Sequence, residues 1–495
     1  MSIAYRAIEA KIDREWGVIT ALSKYYEISR TFVYMLRDRL ISLTPHIFFP
    51  NKEVASYSKK EMTETILSYR LEGGMSIGEI STVMKRRRLD YSGESTISQS
   101  LSAIGALIPA VVSIPIDKEL KVTALLDEIF IGSQPILITV EPISSAILNI
   151  ELADNRKGKT WENHIKHITD NNPNIEIINT VTDEGSGILL GIKNALPNAH
   201  RQPDTFHALS HRLGIWVHRL ESKAYSAIDN EYEREIVCLN RQTVDSFEKK
   251  QELYQEACAK TIETIELYEN FKYFYTHTIR QLNPFKSNGE LRDMKKAKEE
   301  IEVALEFIET LEHTKINQEI QGIKKVLPNL LDYFKDAQKA IKNCRALGID
   351  NETIRVLSLE WQWNKALIKA KNKERRKKAR EELTHYSLIA KRMLWEDYER
   401  VKEKVFSELD SIIQASSMVE NINSILRPYL DRSKNQVTQE FLNLFAFYHN
   451  HRVYKRGKRA GKTPMDMLRG ENLNRDWIEL LIEQVENKEA NFFSK

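Results

Sequence analysis

The sequence predicts a mixed α/β domain that is interrupted by a long all-helical segment and preceded by further helical units. Three short segments at hairpin-like spacing, Lys121 to Phe130, Leu137 to Val140 and Ala146 to Leu152, read as the strands of one meander. From residue 213 to 410 the chain is instead rich in Glu, Lys, Leu, Ala and Ile at helical spacing, with few Gly or Pro. With 495 residues the chain is too long for one core, and we expect about three domains.

Composition limits the classes of partner. The chain has 73 Lys and Arg residues and 70 Asp and Glu residues, which gives a net charge of +3. Nucleic-acid binding would therefore need local basic patches. The three cysteines are far apart and have no metal-ligand spacing, which favours a reduced, cytoplasmic protein without structural zinc. No signal peptide is visible, and the longest apolar stretch, residues 102–116, is too short to span a bilayer. We therefore expect no membrane partner.

Residues 1–50 are predicted to form a first DNA-binding helix-turn-helix unit. Apolar residues from Ile19 to Tyr25 pattern one helix, and Ser29 is placed to cap a second, Arg30 to Leu40, with Val33 and Leu36 facing inward. The outer face of that second helix would read DNA through Arg30, Thr31, Tyr34 and Arg37. An ordinary helical hairpin is the alternative.

Residues 51–117 are predicted to form a second such unit. Met75 to Ile80 indicates one helix, and Ser95 to Ser98 opens another. The basic run between them would neutralise DNA phosphates, or is only a solvated charged face; it consists of Lys85, Arg86, Arg87 and Arg88. Leu43 to Lys60 contains two prolines and is predicted to link the two units.

The α/β domain is predicted to begin with residues 118–212. Asp127 lies on its first strand, near the centre or the C-terminal end. After a helix over residues 160–169, a strand from Ile175 to Val181 runs directly into Asp183, and Ser186 and Gly187 open the next helix. Ala199 to Phe206 is predicted to be the last strand before the helical insertion, residues 213–410.

Residues 411–495 are predicted to complete the α/β domain. In Ser416 to Leu430, one helix face is apolar and the other carries Glu420, Asn423, Ser424 and Arg427. A further helix, Phe441 to His449, would pack beside it. Asp183 follows Asp127 by 56 residues (183 − 127), but Glu420 follows Asp183 by 237 (420 − 183). Glu420 reaches the two aspartates only if the ends of the insertion lie close together.

Three carboxylates on a strand, a strand end and a helix suit a two-metal phosphoryl-transfer site, since Mg²⁺ takes oxygen ligands and usually one or two carboxylates per ion. The segments LLDEIF, VTDEGSG and SSMVENINSILRPYL, followed by FLNLFAFYHNHR and GKTPMDML, resemble the Asp-Asp-Glu transposases and integrases of bacterial insertion sequences. That resemblance implies a ribonuclease-H-like catalytic domain, here interrupted by the all-helical insertion and preceded by the helix-turn-helix units.

The resemblance also implies an activity: binding of the element's ends, nicking by metal-activated water, and attack of the freed 3′-hydroxyl on target DNA. Asp127 would bridge two Mg²⁺ ions, for which Mn²⁺ can substitute, and Asp183 and Glu420 would each hold one. Accessory roles fall to Asn423 and Arg427 toward the scissile phosphate, and to His207 near the metals. A histidine that only satisfies a nearby backbone carbonyl is the alternative for His207. Double-stranded DNA is the expected partner, bound by a homodimer or larger synaptic assembly.

The segment after the last predicted helix is strongly basic. It would track a DNA backbone, or serve solubility alone, through Arg452, Lys455, Arg456, Lys458 and Arg459. In the insertion, Trp361 and Trp363 beside the basic run of residues 369–380 suggest stacking on an unpaired base, although tryptophan is also a common core residue.

Three questions stay open at the level of the sequence. Glu360, Glu396 and Asp397 compete for the place of the third acid, but they lack the Asn-Ser and Arg-Pro residues that follow Glu420. A catalytically idle, domesticated DNA-binding regulator would keep the helix-turn-helix units without needing the three acids. A structure-specific ribonuclease-H-like nuclease would need the acids without paired DNA-reading units.

Overall fold

The computed structural model describes residues 2–48, 57–111, 119–240, 243–433, 436–473, 475–490 and 492–493. The N-terminal unit contains three helices: α1 Ser2–Ile12, α2 Val18–Tyr25 and α3 Arg30–Phe48. The predicted cap is confirmed, because Ser29 Oγ accepts a hydrogen bond from Phe32 N–H at 3.1 Å, and Val33 is buried as expected.

The predicted linker is wrong over residues 43–48, which continue α3, and at Lys59 and Lys60, which begin the next helix. Proline did not end the helix, because one proline removes a single backbone donor and a helix can continue through it. Residues 49–56 of the predicted linker lie outside the described residues. The second unit then contains α4 Lys59–Leu67, continued by a π-helix Ser68–Glu72, α5 Ile77–Arg86 and α6 Glu94–Leu107.

A five-stranded mixed sheet follows, with two helices between its strands: β1 Leu120–Ile131, β2 Gln134–Val140, β3 Ile147–Leu152, α7 Gly158–Asn171, β4 Ile175–Thr182, α8 Ser186–Ala195 and β5 His200–Pro203. The strand order is β3-β2-β1-β4-β5. The first three strands form the predicted antiparallel meander, while β4 runs parallel to β1 and β5 parallel to β4.

The predicted last strand, residues 199–206, is wrong at its end. β5 stops at Pro203 because the Asp204 carboxylate accepts hydrogen bonds from the backbone N–H groups of Phe206 and His207, at 2.7 and 3.1 Å. These bonds start a helical turn, and Phe206–His211 forms a π-helix.

Residues 212–410 are helical throughout their described part, apart from connecting turns and one isolated β-bridge, as predicted. The helices are α9 Arg212–Leu239, α10 Val244–Gln281, α11 Met294–Glu309, α12 Thr314–Leu330, α13 Tyr333–Ala346, α14 Asn351–Lys369, α15 Lys373–Leu394 and α16 Tyr398–Asp410, with a 3-10 turn at Trp395–Asp397. They share one hydrophobic core that begins at Ala208 and ends at Ile412.

The chain then returns to the sheet through α17 Ser417–Arg432, α18 Gln439–His451, α19 Pro464–Arg469 and α20 Trp477–Lys488. α17 and α18 cover one face of the sheet and contact each other through Tyr429 and Phe445, while α7 and α8 cover the opposite face. The alternation along β1 explains the layering, since Val122, Ala124 and Leu126 face α7 and α8 whereas Leu125 and Ile129 face α17.

α18 packs beside α17, as predicted, and it also contributes to a second core. Leu442 and Phe445 pack on the sheet, while Leu444 and Phe447 join a core with α4 to α6 and with Trp477 of α20. The second N-terminal unit therefore shares its hydrophobic core with the C-terminal helices.

The two ends of the insertion lie side by side, as the sequence required. Gln202 Nε2 donates to the carbonyl of Ile413 at 2.9 Å, and the Thr205 hydroxyl donates to the carbonyl of Gln414 at 2.8 Å. α17 therefore starts next to the end of β5. In the part of the chain that the structure describes, no helix is long and apolar enough to cross a membrane.

Candidate active site

Asp127 and Asp183 are brought together by the pairing of two parallel strands. Leu125 of β1 pairs with Val181 of β4, so two further residues along each chain lead to the two aspartates at the same edge of the sheet. Asp127 is half-buried on the β1 face that packs against α17. Asp183 follows the last residue of β4, and its Oδ1 accepts the Gly185 backbone N–H at 3.0 Å.

Glu420 reaches this edge on the first turn of α17. One turn further along, Asn423 is buried and its Nδ2 donates to Asp127 Oδ2 at 2.9 Å, which fixes α17 against β1. Glu420 Oε1 lies 3.8 Å from His207 Nε2, and 48% of the Glu420 side chain is exposed. The three acids thus come from a strand, a strand end and a helix, across the whole insertion.

Asp127 is affected by its burial and by the charges of the other two acids. Burial raises the pKa of Asp127 to about 7, with further increases from the charges of Glu420, Asp183 and Glu128, against the lowering effect of the Glu128 backbone N–H. That N–H donates to Asp127 Oδ1 at 2.8 Å. A carboxylate that holds its proton because it is buried, and because negative charges lie nearby, is a group that a bound cation would stabilise in its ionised form.

The oxygen-rich surroundings fit a hard cation. The Oδ1 atom of Asn423 and the hydroxyl of Thr182 are buried without a hydrogen-bond partner among the described residues. Within those residues, no group of three or more His, Cys, Asp or Glu side chains is close enough to hold a metal ion by itself. Mg²⁺ usually keeps several waters and takes one or two carboxylates, so an open set of acids is compatible with it. The carboxylate donors therefore fit Mg²⁺ and not a soft metal.

A cavity of about 200 Å³ opens beside Asp183; it is lined by Asp183, Glu184, Gly185, Asp204, His207, Ala208 and Arg212. His207, the predicted accessory residue, lies here on the π-helix and also faces Glu420. Arg212, at the start of α9, was not among the predicted site residues; it adds a positive charge to this cavity and lies 4.0 Å from a Glu319 carboxylate oxygen.

Asp204 was also missed, although it is the polar group that joins the ends of the insertion. Its Oδ2 accepts the backbone N–H and the hydroxyl of Ser416 at 2.7 and 2.5 Å, while its Oδ1 accepts the two N–H groups of the following turn. Both oxygens are thus occupied by donors, which makes Asp204 a structural residue and not a metal ligand. An aspartate directly after a strand and before a helical turn was the available signal.

The expected reach of Asn423 toward a phosphate is corrected, because its amide is buried and bonded to Asp127. The side chain of Arg427, one turn further along α17, is exposed. Asn423 therefore positions the Asp127 carboxylate, whereas the Arg427 side chain is open to solvent.

The competing acids lie within the insertion, where Glu360 and Asp397 are bonded to other side chains. Glu360 is fully buried and its Oε1 accepts from Lys402 Nζ at 2.6 Å and from the Tyr398 hydroxyl at 2.7 Å. Asp397 pairs with Arg400 at 2.6 Å, and Glu396 neighbours it on the same 3-10 turn. The negative charge of Glu420, by contrast, contributes to the raised pKa of Asp127.

The base-stacking hypothesis is wrong for Trp361. Its ring is 4% exposed, packs edge-on against Phe285 at 5.9 Å, and donates through Nε1 to Asp410 at 3.1 Å. Trp363 is half-buried on the same helix. Trp361 is a core residue with its polar atom satisfied, which is the common role of a buried tryptophan.

The predicted DNA-reading residues of the two N-terminal units are mostly at the surface. Arg30, Thr31 and Tyr34 are exposed, whereas Arg37 is half-buried, bonds Asp38 at 2.7 Å and lies over the Tyr34 ring at 4.9 Å. In the second unit the whole basic run is exposed: Lys85, Arg86, Arg87 and Arg88. Arg87 donates through Nη1 to the Tyr69 hydroxyl at 2.9 Å.

The C-terminal basic residues divide into two groups. Lys455 and Arg456 are exposed, but Lys458 pairs with Asp410 at 3.2 Å and Arg459 donates to the carbonyls of Pro142 and Ile143. Arg452 lies between the rings of Tyr448 and Tyr454, at 5.5 and 5.7 Å. Three of the five residues that were predicted to contact DNA, Arg452, Lys458 and Arg459, thus already make contacts within the fold.

Comparison with models of known protein families finds no match for this chain, and no curated protein matches it. The geometry of the three acids therefore carries the functional argument.

Proposed function

We propose that this protein is a DNA transposase of the Asp-Asp-Glu type, which binds the ends of its mobile element and catalyses DNA cleavage and strand transfer. The observation that carries the proposal is the convergence of Asp127, Asp183 and Glu420 at one sheet edge, although 237 residues separate the last two. The strand order β3-β2-β1-β4-β5, in which β2 runs antiparallel to the other four strands, supports a ribonuclease-H-like catalytic domain.

Each acid has a defined task in this proposal. Asp127, at the centre, would contact two Mg²⁺ or Mn²⁺ ions, while Asp183 and Glu420 would each hold one. Bound there, the ions activate the attacking oxygen and stabilise the leaving oxygen of an in-line displacement. Asn423 orients the Asp127 carboxylate through its 2.9 Å hydrogen bond.

The residues around the acids bind and orient DNA. His207 faces Glu420 and, through its second ring nitrogen, can contact a phosphate or move a proton. Arg212, which lines the cavity beside Asp183, and Arg427, which is exposed on α17, supply positive charge. The helix-turn-helix units would read double-stranded DNA at the element ends, and pairing of two ends requires a homodimer or a larger assembly.

The test is a nicking and strand-transfer assay with duplexes taken from the DNA that flanks the gene, a plasmid target, and Mg²⁺ or EDTA. Asp127→Asn and Glu420→Gln should each lose activity by more than about 100-fold while still binding the duplex, because an amide cannot replace an anionic metal ligand. Glu403→Gln, an exposed glutamate in α16, is the matched control and should keep full activity.

The possible results separate the candidate functions. Nicked DNA that is never joined to the plasmid would indicate a structure-specific nuclease. Specific binding with no cleavage in Mg²⁺ or Mn²⁺ would indicate an idle regulator. Wild-type rates in both acid variants would remove Asp127 and Glu420 from the chemistry.

A further inference from the structure

A second, larger cavity lies in the insertion, away from the three acids. It measures about 780 Å³ and is formed between α9 and the turn that joins α11 to α12. We call it the α9 cleft and define it by the lining residues that matter here: Trp216, Arg219, Lys223, Glu312, His313 and Lys315.

The charge of the α9 cleft is positive. Arg219, Lys223 and Lys315 are exposed cations, and Glu312 is the one carboxylate among the lining residues. Among the described residues, none of the three cations has a carboxylate oxygen within 4.0 Å. Glu312 offsets one of the three positive charges, and the net positive charge that remains attracts an anion more strongly than a surface of alternating ion pairs does.

Aromatic packing gives the cleft a fixed floor. The Trp216 ring is 7% exposed, and the Arg219 guanidinium lies over it at 4.8 Å from the ring centre. His313 contacts the same ring edge-on at 5.0 Å, and its Nδ1 accepts the Ile316 N–H, so in the neutral ring the N–H donor is Nε2. Stacking restricts the guanidinium, which reduces the entropy that would be lost on binding.

The position of the cleft along α9 connects it to the candidate active site. Arg212, Trp216, Arg219 and Lys223 follow one another at helical spacing along one face, and Arg212 lines the cavity beside Asp183. At 1.5 Å per residue, Arg219 and Lys223 are about 10 and 16 Å along the helix from Arg212. B-DNA rises about 3.4 Å per nucleotide of one strand, so this distance corresponds to about three to five base pairs.

We propose that the α9 cleft binds the phosphodiester backbone of duplex DNA about three to five base pairs from the phosphate at the three acids. This inference rests on the proposed function, because that function puts DNA at the acids, and it assigns a binding role to the helical insertion. Arg219 and Lys223 contact the backbone from α9, and Lys315 does so from the start of α12.

The test measures the affinity of the full chain for a duplex of random sequence, in EDTA, between about 50 and 200 mM salt. Each phosphate contact contributes about 0.9 to the slope of log affinity against log salt. Arg219→Gln/Lys223→Gln should reduce that slope by about 2 and the affinity at low salt by about tenfold or more. Lys315→Gln, on a different element, should reduce the slope by about 1.

The matched control is Lys295→Gln/Lys296→Gln, which removes the same charge from exposed residues at the opposite end of α11. That end is about 24 Å from the cleft along the helix, and its variant should bind as the wild type does. A thermal melt of each variant verifies that the fold is intact.

The outcomes are distinct. A wild-type slope in both cleft variants, with duplex binding retained, overturns the cleft assignment and leaves the transposase proposal standing. An equal loss in the control overturns it too, since the effect would then be one of general charge. Absence of salt-dependent duplex binding by the wild type contradicts the proposed function itself.

Discussion

At the scale of single residues, Asp127 is the group whose chemistry depends most on its neighbours. In isolation it is an ordinary aspartate, but burial and the negative charges of Glu420 and Asp183 raise its pKa to about 7. Asn423 holds one of its oxygens and the Glu128 N–H holds the other. A site built in this way is destabilised without a cation when all its acids are ionised, and cation binding relieves that repulsion.

The first prediction concerns the stability of the metal-free protein. The folded-state pKa of Asp127 is above its ordinary value of 3.8, so the folded state holds this proton more tightly than the unfolded chain does. Stability from this group is therefore complete below about pH 4 and is lost as the pH rises to about 7. In EDTA, the loss from pH 5 to pH 8 should be smaller for Asp127→Asn than for the wild type, by thermal or urea unfolding.

The same measurement with Mg²⁺ has its own expectation. At pH 8, Mg²⁺ at a hundred times its Kd should stabilise the wild type by about 2.7 kcal/mol. Asp127→Asn should lose most of this effect, and the control Glu403→Gln should retain it. Equal stabilisation of wild type and Asp127→Asn would place the ions elsewhere.

At the scale of elements, similar acids acquire different roles from the helices that carry them. Glu420 lies on the first turn of α17 with its carboxylate open to the sheet edge, whereas Glu360 is in the middle of α14 and faces α15 and α16. Buried there, Glu360 is bonded by Lys402, Tyr398 and Ser387. Its role is to hold three helices together.

The second prediction follows from that burial. Glu360→Gln should keep the nicking rate. It should lower the free energy of unfolding by about 1–3 kcal/mol, because Lys402 loses its ionic partner where water solvates its charge poorly. Glu360→Gln/Lys402→Met removes both charges and should recover part of the loss. Urea unfolding compares the two variants. A stable Glu360→Gln protein without nicking activity would instead move the third acid into the insertion.

At the scale of the whole molecule, the insertion is a separate hydrophobic core attached at two adjacent points. Its core residues run from Ala208 to Ile412, and the Asp204 contacts to Ser416 close the connection. Contacts with the sheet domain also exist, such as His200 Nε2 to Asp332 Oδ2 at 3.1 Å. This design allows a large insertion without moving Glu420 from the two aspartates.

The third prediction is that residues 206–412 fold alone. A core of this extent should give a helical, cooperative thermal transition by circular dichroism, since the fragment keeps its own buried apolar residues. A fragment without cooperative unfolding would mean that the insertion depends on the sheet domain for its stability.

The sequence by itself determined most of the local structure and the identity of the candidate acids. Alternating apolar residues predicted the β1 to β3 meander, helical spacing predicted the insertion, and Ser29 predicted the start of α3. These features depend on neighbours close in the chain, where backbone geometry and side-chain periodicity act directly. The end of β5 was missed because only a few hydrogen bonds, all made to one aspartate, change the chain from a strand to a helical turn.

Only the tertiary structure decided how distant segments meet. It placed Trp361 and Glu360 in a core, turned Asn423 toward Asp127, and used Arg459 and Lys458 for packing and pairing. It also brought Arg219 and Lys315 together in the α9 cleft from two separate helices. A helical pattern predicts which residues share a face of the helix, but not which other element packs against that face. The element that packs there decides which side chains are buried and which charges are paired.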